Sequence, residues 1–272
     1  MKRSVFKRLL ACILAAVFIL AFAGCGEQNE NADDDSLQKV LDAGQLILGL
    51  DTGFPPMGFI DENGDIVGFD IDVAQEVCNR LGVTLVKQGI DWDEKENDLN
   101  EGRIDCIWNG FSVTPARDEA MCLSEPYMKN ELIVVVLDSS EVKVLHDLKG
   151  MKIGVQSGST AQDVLEASDI YPDVTEISYD TVMILVDKLN KGEIDAAVID
   201  SVSAYYFMFS SEEQQYFTLS DSLDEEDYAI GFRKNDRKLR DKIQEIISEM
   251  KADGRLGEIS KDWFGSDITI VK

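Results

Sequence analysis

Apolar positions in this chain come in short bursts separated by turn residues. The run Gln45-Leu46-Ile47-Leu48-Gly49-Leu50 ends at Asp51 and a Thr52-Gly53-Phe54-Pro55-Pro56 turn, which predicts a buried strand feeding a loop. Asp61-Glu62-Asn63-Gly64-Asp65 reads as a hairpin turn. Ile66-Val67-Gly68-Phe69-Asp70-Ile71-Asp72 then leads into a helix with apolar positions Val73, Val77, Cys78 and Leu81, stopped at Gly82. Residues 83–87 return as a strand.

The pattern repeats itself. Leu99-Asn100-Glu101-Gly102-Arg103-Ile104-Asp105-Cys106-Ile107 recurs as Leu189-Asn190-Lys191-Gly192-Glu193-Ile194-Asp195-Ala196-Ala197, with Leu, Asn, Gly, Ile and Asp coinciding at one offset. Each copy reads as helix end, glycine turn and strand, and the coincidence predicts two lobes of one kind. Met151-Lys152-Ile153-Gly154-Val155 then opens the second lobe as residues 46–50 open the first. Strands alternating with helices imply α/β lobes with mostly parallel sheets and helices on both faces. Such sheets hold ligands at the carboxyl ends of their strands, and two sheets can present those ends across a cleft.

Charge narrows the function. The 272 residues contain 26 basic and 52 acidic side chains, a formal charge of −26. A surface this acidic speaks against nucleic acid as the partner and against adsorption of the body onto anionic lipid. The single histidine, His146, excludes a multi-histidine metal centre, and neither metal nor cofactor is expected.

The first residues carry Lys2, Arg3, Lys7 and Arg8, then a nearly unbroken apolar stretch over 9–23 and Gly24-Cys25. That is a secretory signal over 1–24, too short for a comfortable membrane span. Phe22-Ala23-Gly24-Cys25 resembles the lipobox of bacterial lipoproteins, with Phe22 where leucine is usual. The resemblance implies cleavage before Cys25, acylation of its sulfur and a polar tether over 25–35. Two or three acyl chains anchor a protein firmly where one is marginal. Loss of the four basic signal residues leaves 22 basic against 52 acidic side chains, a charge of −30. Cys78, Cys106 and Cys122 remain, either with one pair oxidised and one thiol free or as three buried thiols.

The strand ends collect a chemically coherent set. Asp51 and Phe54 follow the first strand; Trp108, Asn109, Gly110, Phe111 and Ser112, with Arg117 beyond, follow the Ile104 strand; Ser157-Gly158-Ser159-Thr160 precede a helix expected from Ala161; and Asp200 follows the Ile194 strand. Arg117 offers a planar fork to a carboxylate. The Ser157-to-Thr160 turn offers amides and hydroxyls at a helix start. Asp200 can take an ammonium, and Gly110 lets a ligand approach the backbone carbonyl. Together these describe a site for an α-amino acid, with Phe54 and Trp92 around its side chain and Asp51 at its polar end. Taken singly, each has a plainer role: a helix cap for the Ser157 turn and for Asp200, a solvated charge for Arg117, a turn brace for Asp51, core for Phe54 and Trp92.

Gly68-Phe69-Asp70-Ile71-Asp72-Val73 with Val77, Cys78 and Leu81 resembles the signature of the polar amino-acid family of bacterial extracellular solute-binding proteins, which serve ATP-binding-cassette importers. Ser124-Glu125-Pro126-Tyr127, Leu148-Lys149-Gly150-Met151-Lys152-Ile153-Gly154-Val155 with Gly158-Ser159-Thr160, Gly254-Arg255-Leu256 and Lys261-Asp262-Trp263-Phe264-Gly265 are similar to later family motifs, so the likeness runs over about 36–267. It implies a two-lobed periplasmic-binding-protein-like α/β fold, with lobe one at 36–129 plus 231–272 and lobe two at 130–230. Two crossing hinge segments would join them near 128–132 and 227–231. It implies a pocket of Asp51, Phe54 and Trp92 for the side chain, Arg117 with Ser112 and Thr160 for the carboxylate, and Asp200 with the Gly110 carbonyl for the ammonium. Asn109-Gly110 departs from the Ser-Ser or Ala-Gly of many relatives. The expected protein is no enzyme but a monomeric, lipid-anchored binding protein on the extracytoplasmic face of the bacterial cell membrane. It would take a free amino acid with a cationic or amide side chain and deliver it to the importer's permease. The alternatives are a dehydratase of prephenate-like or arogenate-like acids and a ligand-binding sensor module.

Overall fold

The computed structural model describes residues 34–210, 215–219 and 222–272; the signal, Cys25 and most of the tether lie outside these. Eight strands form the main path of one sheet: β1 (Gln45–Leu50), β2 (Thr84–Gly89), β3 (Cys106–Ser112), β4 (Met128–Leu137), β5 (Lys152–Gln156), β6 (Thr175–Tyr179), β7 (Ala196–Asp200) and β8 (Asp224–Phe232). Their spatial order is β6-β5-β7-β4-β8-β3-β1-β2. β1 runs parallel to β2 and β3, and β5 runs parallel to β6 and β7. The long strands β4 and β8 pair antiparallel between these groups, Met128 opposite Tyr228 and Leu132 opposite Asp224. This is the two-lobed mixed α/β architecture, with β4 and β8 as the two connecting segments.

The helix Phe69–Leu81 ends at Gly82, whose φ of 74° supplies the left-handed cap expected of a glycine stop. The hairpin turn at Asp61 to Asp65 joins two short strands, Gly58–Ile60 and Ile66–Val67.

The internal repeat has a packing explanation. The helices Lys95–Asn100 and Val182–Asn190 each run through a positive-φ glycine, Gly102 or Gly192, into β3 or β7. In both copies the aspartate carboxylate accepts the backbone N–H of the adjoining strand: Asp105 from Ile47 of β1 and Asp195 from Lys152 of β5, each at 2.8 Å. In both, the isoleucine covers a glycine of that strand. A Cβ on Gly49 would lie 2.4 Å from Ile104 Cδ1, and one on Gly154 would lie 2.5 Å from Ile194 Cδ1. The repeated residues therefore dock the returning strand on its parallel neighbour.

Of the two cysteine readings, three buried thiols is the arrangement present: Cys78, Cys106 and Cys122 are free and buried. Among the described residues no helix is long and apolar enough to cross a membrane.

Candidate functional site

The carboxyl ends of β1, β3, β5 and β7 meet around a narrow cleft. All ten residues singled out in the sequence line it: Asp51, Phe54, Trp92, Asn109, Gly110, Ser112, Arg117, Ser159, Thr160 and Asp200. Gln156 joins them. The strand-end rule covers Gln156, the last residue of β5, but its apolar neighbours Ile153 and Val155 disguise it as core. His146 is not among the lining residues.

Arg117 sits in the short helix Pro115–Ala120, which Thr114 caps by accepting the Arg117 N–H at 3.2 Å. The side chain is 8% exposed, so it is not the solvated charge of the plainer reading. Its guanidinium lies 4.1 Å from the Phe111 ring centroid, and Nη1 donates to the Ser112 carbonyl at 2.8 Å. Among the described residues no carboxylate comes within ion-pair distance. A buried cation without a counter-ion is costly and favours an anion.

Two buried acids share the cleft with it. Asp200 accepts from Asn130 Nδ2 at 2.6 Å and from the Tyr228 hydroxyl at 2.5 Å. Asp51 accepts from Gly53 N at 2.8 Å and from Gln156 Nε2 at 2.7 Å. Burial lifts Asp51 to about 6, against the opposing pull of those two hydrogen bonds. Burial first, and the nearby Glu226 charge second, lift Asp200 to about 7. One buried cation and two buried acids without partner charges suit a ligand with one carboxylate and one or two cationic or donor groups.

The glycine and the hydroxyls complete the cradle. Gly110 has φ +56°, and a Cβ there would lie 2.7 Å from the Phe54 ring. Its N–H donates to Asp70 at 2.7 Å; that carboxylate also takes the Tyr127 hydroxyl at 2.9 Å. Burial lifts Asp70 to about 7. Asn109 accepts the Asp51 N–H at 3.0 Å and so braces the loop that carries Asp51. Ser159 is indeed a helix cap, accepting from Gln162 N, and the helix begins one residue earlier than expected, at Thr160. Cap and cleft position coexist because the helix start points at the cleft. Trp92 packs edge-on against Phe111, so it serves the core as well as the wall.

The two walls touch directly. Ser112 and Thr160 hydroxyls lie 3.3 Å apart, Ser157 donates to Asp93 at 2.8 Å, and Lys95 donates to the Gly158 carbonyl at 3.0 Å. The buried Lys95 was invisible in the sequence, since its acceptor lies 63 residues away. Burial, then the Arg117 charge, lower Lys95 to about 8.

A pH dependence follows. Asp51, Asp70 and Asp200 all titrate higher in the folded protein than the ordinary aspartate value of about 3.9. Their protonated forms suit the fold, so this stability is full below about pH 4 and is lost as pH rises through 6 to 7. The ligand-free protein is expected to melt at least about 5 °C higher at about pH 5 than at about pH 8, measured by calorimetry at constant ionic strength. A lower melting point at the acid end contradicts the burial of these acids.

Comparison with known proteins identifies the family and the fold. Residues 46–266 match the family described as bacterial extracellular solute-binding proteins, family 3. The L-cystine-binding protein TcyJ of Escherichia coli K12 is 29% identical over 240 residues, 88% of this chain and 89% of that protein. The arginine-binding extracellular protein ArtP of Bacillus subtilis 168 is 29% identical over 260 residues, 95% of this chain and 98% of that one. A substrate-binding protein of an uptake transporter from Streptococcus pneumoniae, solved with bound histidine, superposes with a TM-score of 0.81 at 36% identity, covering 88% and 99%. Tv2483 bound to L-arginine gives a TM-score of 0.83 at 32% identity, covering 88% and 98%. With a family match spanning both lobes and a cleft at their facing strand ends, the chain belongs to the bacterial extracellular solute-binding proteins, family 3.

Proposed function

We propose that this protein captures a free polar amino acid outside the cytoplasm and delivers it to the permease of an ATP-binding-cassette importer, held at the membrane by lipid on Cys25. The observation that carries the reading is the buried guanidinium of Arg117, without an ion pair among the described residues, in the same cleft as the buried carboxylate of Asp200. Arg117, Ser112 and Thr160 take the ligand's carboxylate; Asp200 and the Gly110 carbonyl take its ammonium. Phe54 and Trp92 flank the side chain, and Asp51 with Gln156 meets its polar end. Lobe one is 36–129 plus 231–272 and lobe two is 130–230, turning about β4 and β8. Ligand that contacts both walls favours closure because it makes all its contacts only in the closed form. The protein works as a monomer and carries no cofactor.

Relatives named for arginine, histidine and cystine support a polar ligand, and the Asp51–Gln156 pair favours a cationic or amide side chain. An ancestral amino acid-binding protein described as a precursor of cyclohexadienyl dehydratase is 27% identical. Transport is preferred here because the chain's one histidine does not line the cleft. A thermal-shift panel of the common amino acids is expected to give its largest rise with L-arginine, L-lysine, L-histidine, L-glutamine or L-cystine, and Asp51→Ala is expected to lower that rise selectively. A large rise only with leucine or phenylalanine rejects the role given to Asp51.

A further inference from the structure

Glu226 lies on β8, half-buried, in a depression beside the cleft, and it touches the cleft through Ser112 rather than lining it. Its carboxylate accepts from Ser112 Oγ and from Asn130 Nδ2, both at 3.1 Å. The same Asn130 nitrogen donates to Asp200 at 2.6 Å. One amide nitrogen therefore gathers two carboxylates, and Ser112 links Glu226 onward to Thr160 on the opposite wall. Glu226 makes no ion pair among the described residues, and neither does Asp200.

Two carboxylates this close, one of them buried, resist ionising together. The surroundings do not neutralise them. From β8 the Tyr228 phenol, pushed well above its ordinary value by burial, donates to Asp200 as a neutral group. From the helix Pro115–Ala120 the Arg117 guanidinium attracts both acids, but beyond ion-pair distance. Beside Glu226, β4 and β8 add Lys129, Glu131 and Glu225, more acid than base.

We propose that Glu226 is a second carboxylate of the ammonium subsite, and that Asp200 and Glu226 share one proton in the ligand-free protein which the ligand's ammonium displaces to solvent. This rests on the amino-acid reading above. The ammonium keeps its three protons and donates to the pair; the shared proton passes to buffer. Binding then strengthens as pH rises towards the pair's titration and levels off above it, because below it the ammonium competes with a proton. Asp200, the buried member, titrates near neutrality, and the nearby Glu226 charge is one cause.

The test is titration calorimetry with L-arginine, L-lysine and L-glutamine at about pH 6 and about pH 8, each in two buffers of different ionisation enthalpy. For whichever binds, release of about one proton or more at the lower pH, part of it from Asp51 when the side chain is cationic, and of far less at the higher is expected, with affinity at least about tenfold weaker at the lower. Glu226→Gln should still show a ligand-induced melting shift, which confirms its fold. Its proton release at the lower pH should fall by at least about half a proton, leaving what Asp51 contributes, and its affinity should change less between the two pH values than that of wild type. Carboxyl-carbon NMR of the ligand-free protein, assigned with Asp200→Asn, should show Asp200 titrating near neutrality and lower in Glu226→Gln. Binding without proton release, or an Asp200 titration unmoved by Glu226→Gln, overturns the shared proton alone. If none of the three amino acids binds, the parent reading falls and the displacement with it.

Discussion

Replacing Arg117 by alanine is expected to abolish binding of every amino acid, with a loss of at least about 3 kcal/mol, or more than about a hundredfold in Kd. A ligand carboxylate buried in this cleft has one full positive charge to meet, and the remaining donors are hydroxyls and amides. Arg117→Lys should fail nearly as badly, because an ammonium cannot reproduce the planar fork held against Phe111. The same substitutions should leave the ligand-free melting point almost unchanged. A buried cation without an ion-pair partner is a weak contributor to folding, and its lost contacts are one carbonyl hydrogen bond and one ring face. Binding lost with stability kept is thus the expected signature, read by titration calorimetry and thermal melts on the same samples. Binding within twofold of wild type places the carboxylate elsewhere and removes the basis of the functional proposal.

The second large effect concerns Asp70, which is fully buried and touches no cleft surface. Asp70→Ala strands the Gly110 N–H and the Tyr127 hydroxyl without an acceptor, at about 1–3 kcal/mol each. A loss of roughly 3 kcal/mol in chemical denaturation is expected, together with weaker ligand binding, because Gly110 is a wall of the cleft. Asp70→Asn keeps an acceptor oxygen. It should cost less than half as much near pH 7, and it should flatten part of the acid-side rise in melting point, since Asp70 no longer titrates. Equal damage from both substitutions means that the shape of the site, and not the acceptor, is what Asp70 supplies.

Much of this site is legible along the chain because strand-end positions are set locally. An apolar run, a glycine and a polar residue fix where a strand stops, and a parallel α/β sheet puts such stops on one edge. That is why Asp51, Asn109, Arg117, Thr160 and Asp200, read one strand at a time, reach the same cleft. The repeat was legible for a related reason: the same docking of isoleucine on glycine and of aspartate on a strand N–H was needed twice. Gln156, Lys95 and Glu226 were missed. Gln156 closes an apolar strand, Lys95 is one of many charged residues on a helix, and Glu226 is one acid in the run Asp224-Glu225-Glu226-Asp227.

What the sequence determined by itself is the alternation of strands and helices, the two-lobed family and the identity of the residues at the cleft. These follow from backbone geometry over a few neighbouring residues. Only the tertiary structure decided which charges keep a partner. Asp51 meets Gln156 across 105 residues, Asn130 gathers Asp200 from 70 residues away, and Gly110 binds Asp70 from 40. Among the described residues Arg117 is left without an ion pair, because the acids that packing brings near it stop short of contact. A charge acquires its energy from burial and from neighbours delivered by distant segments, so its readiness for a ligand appears only once those segments are packed.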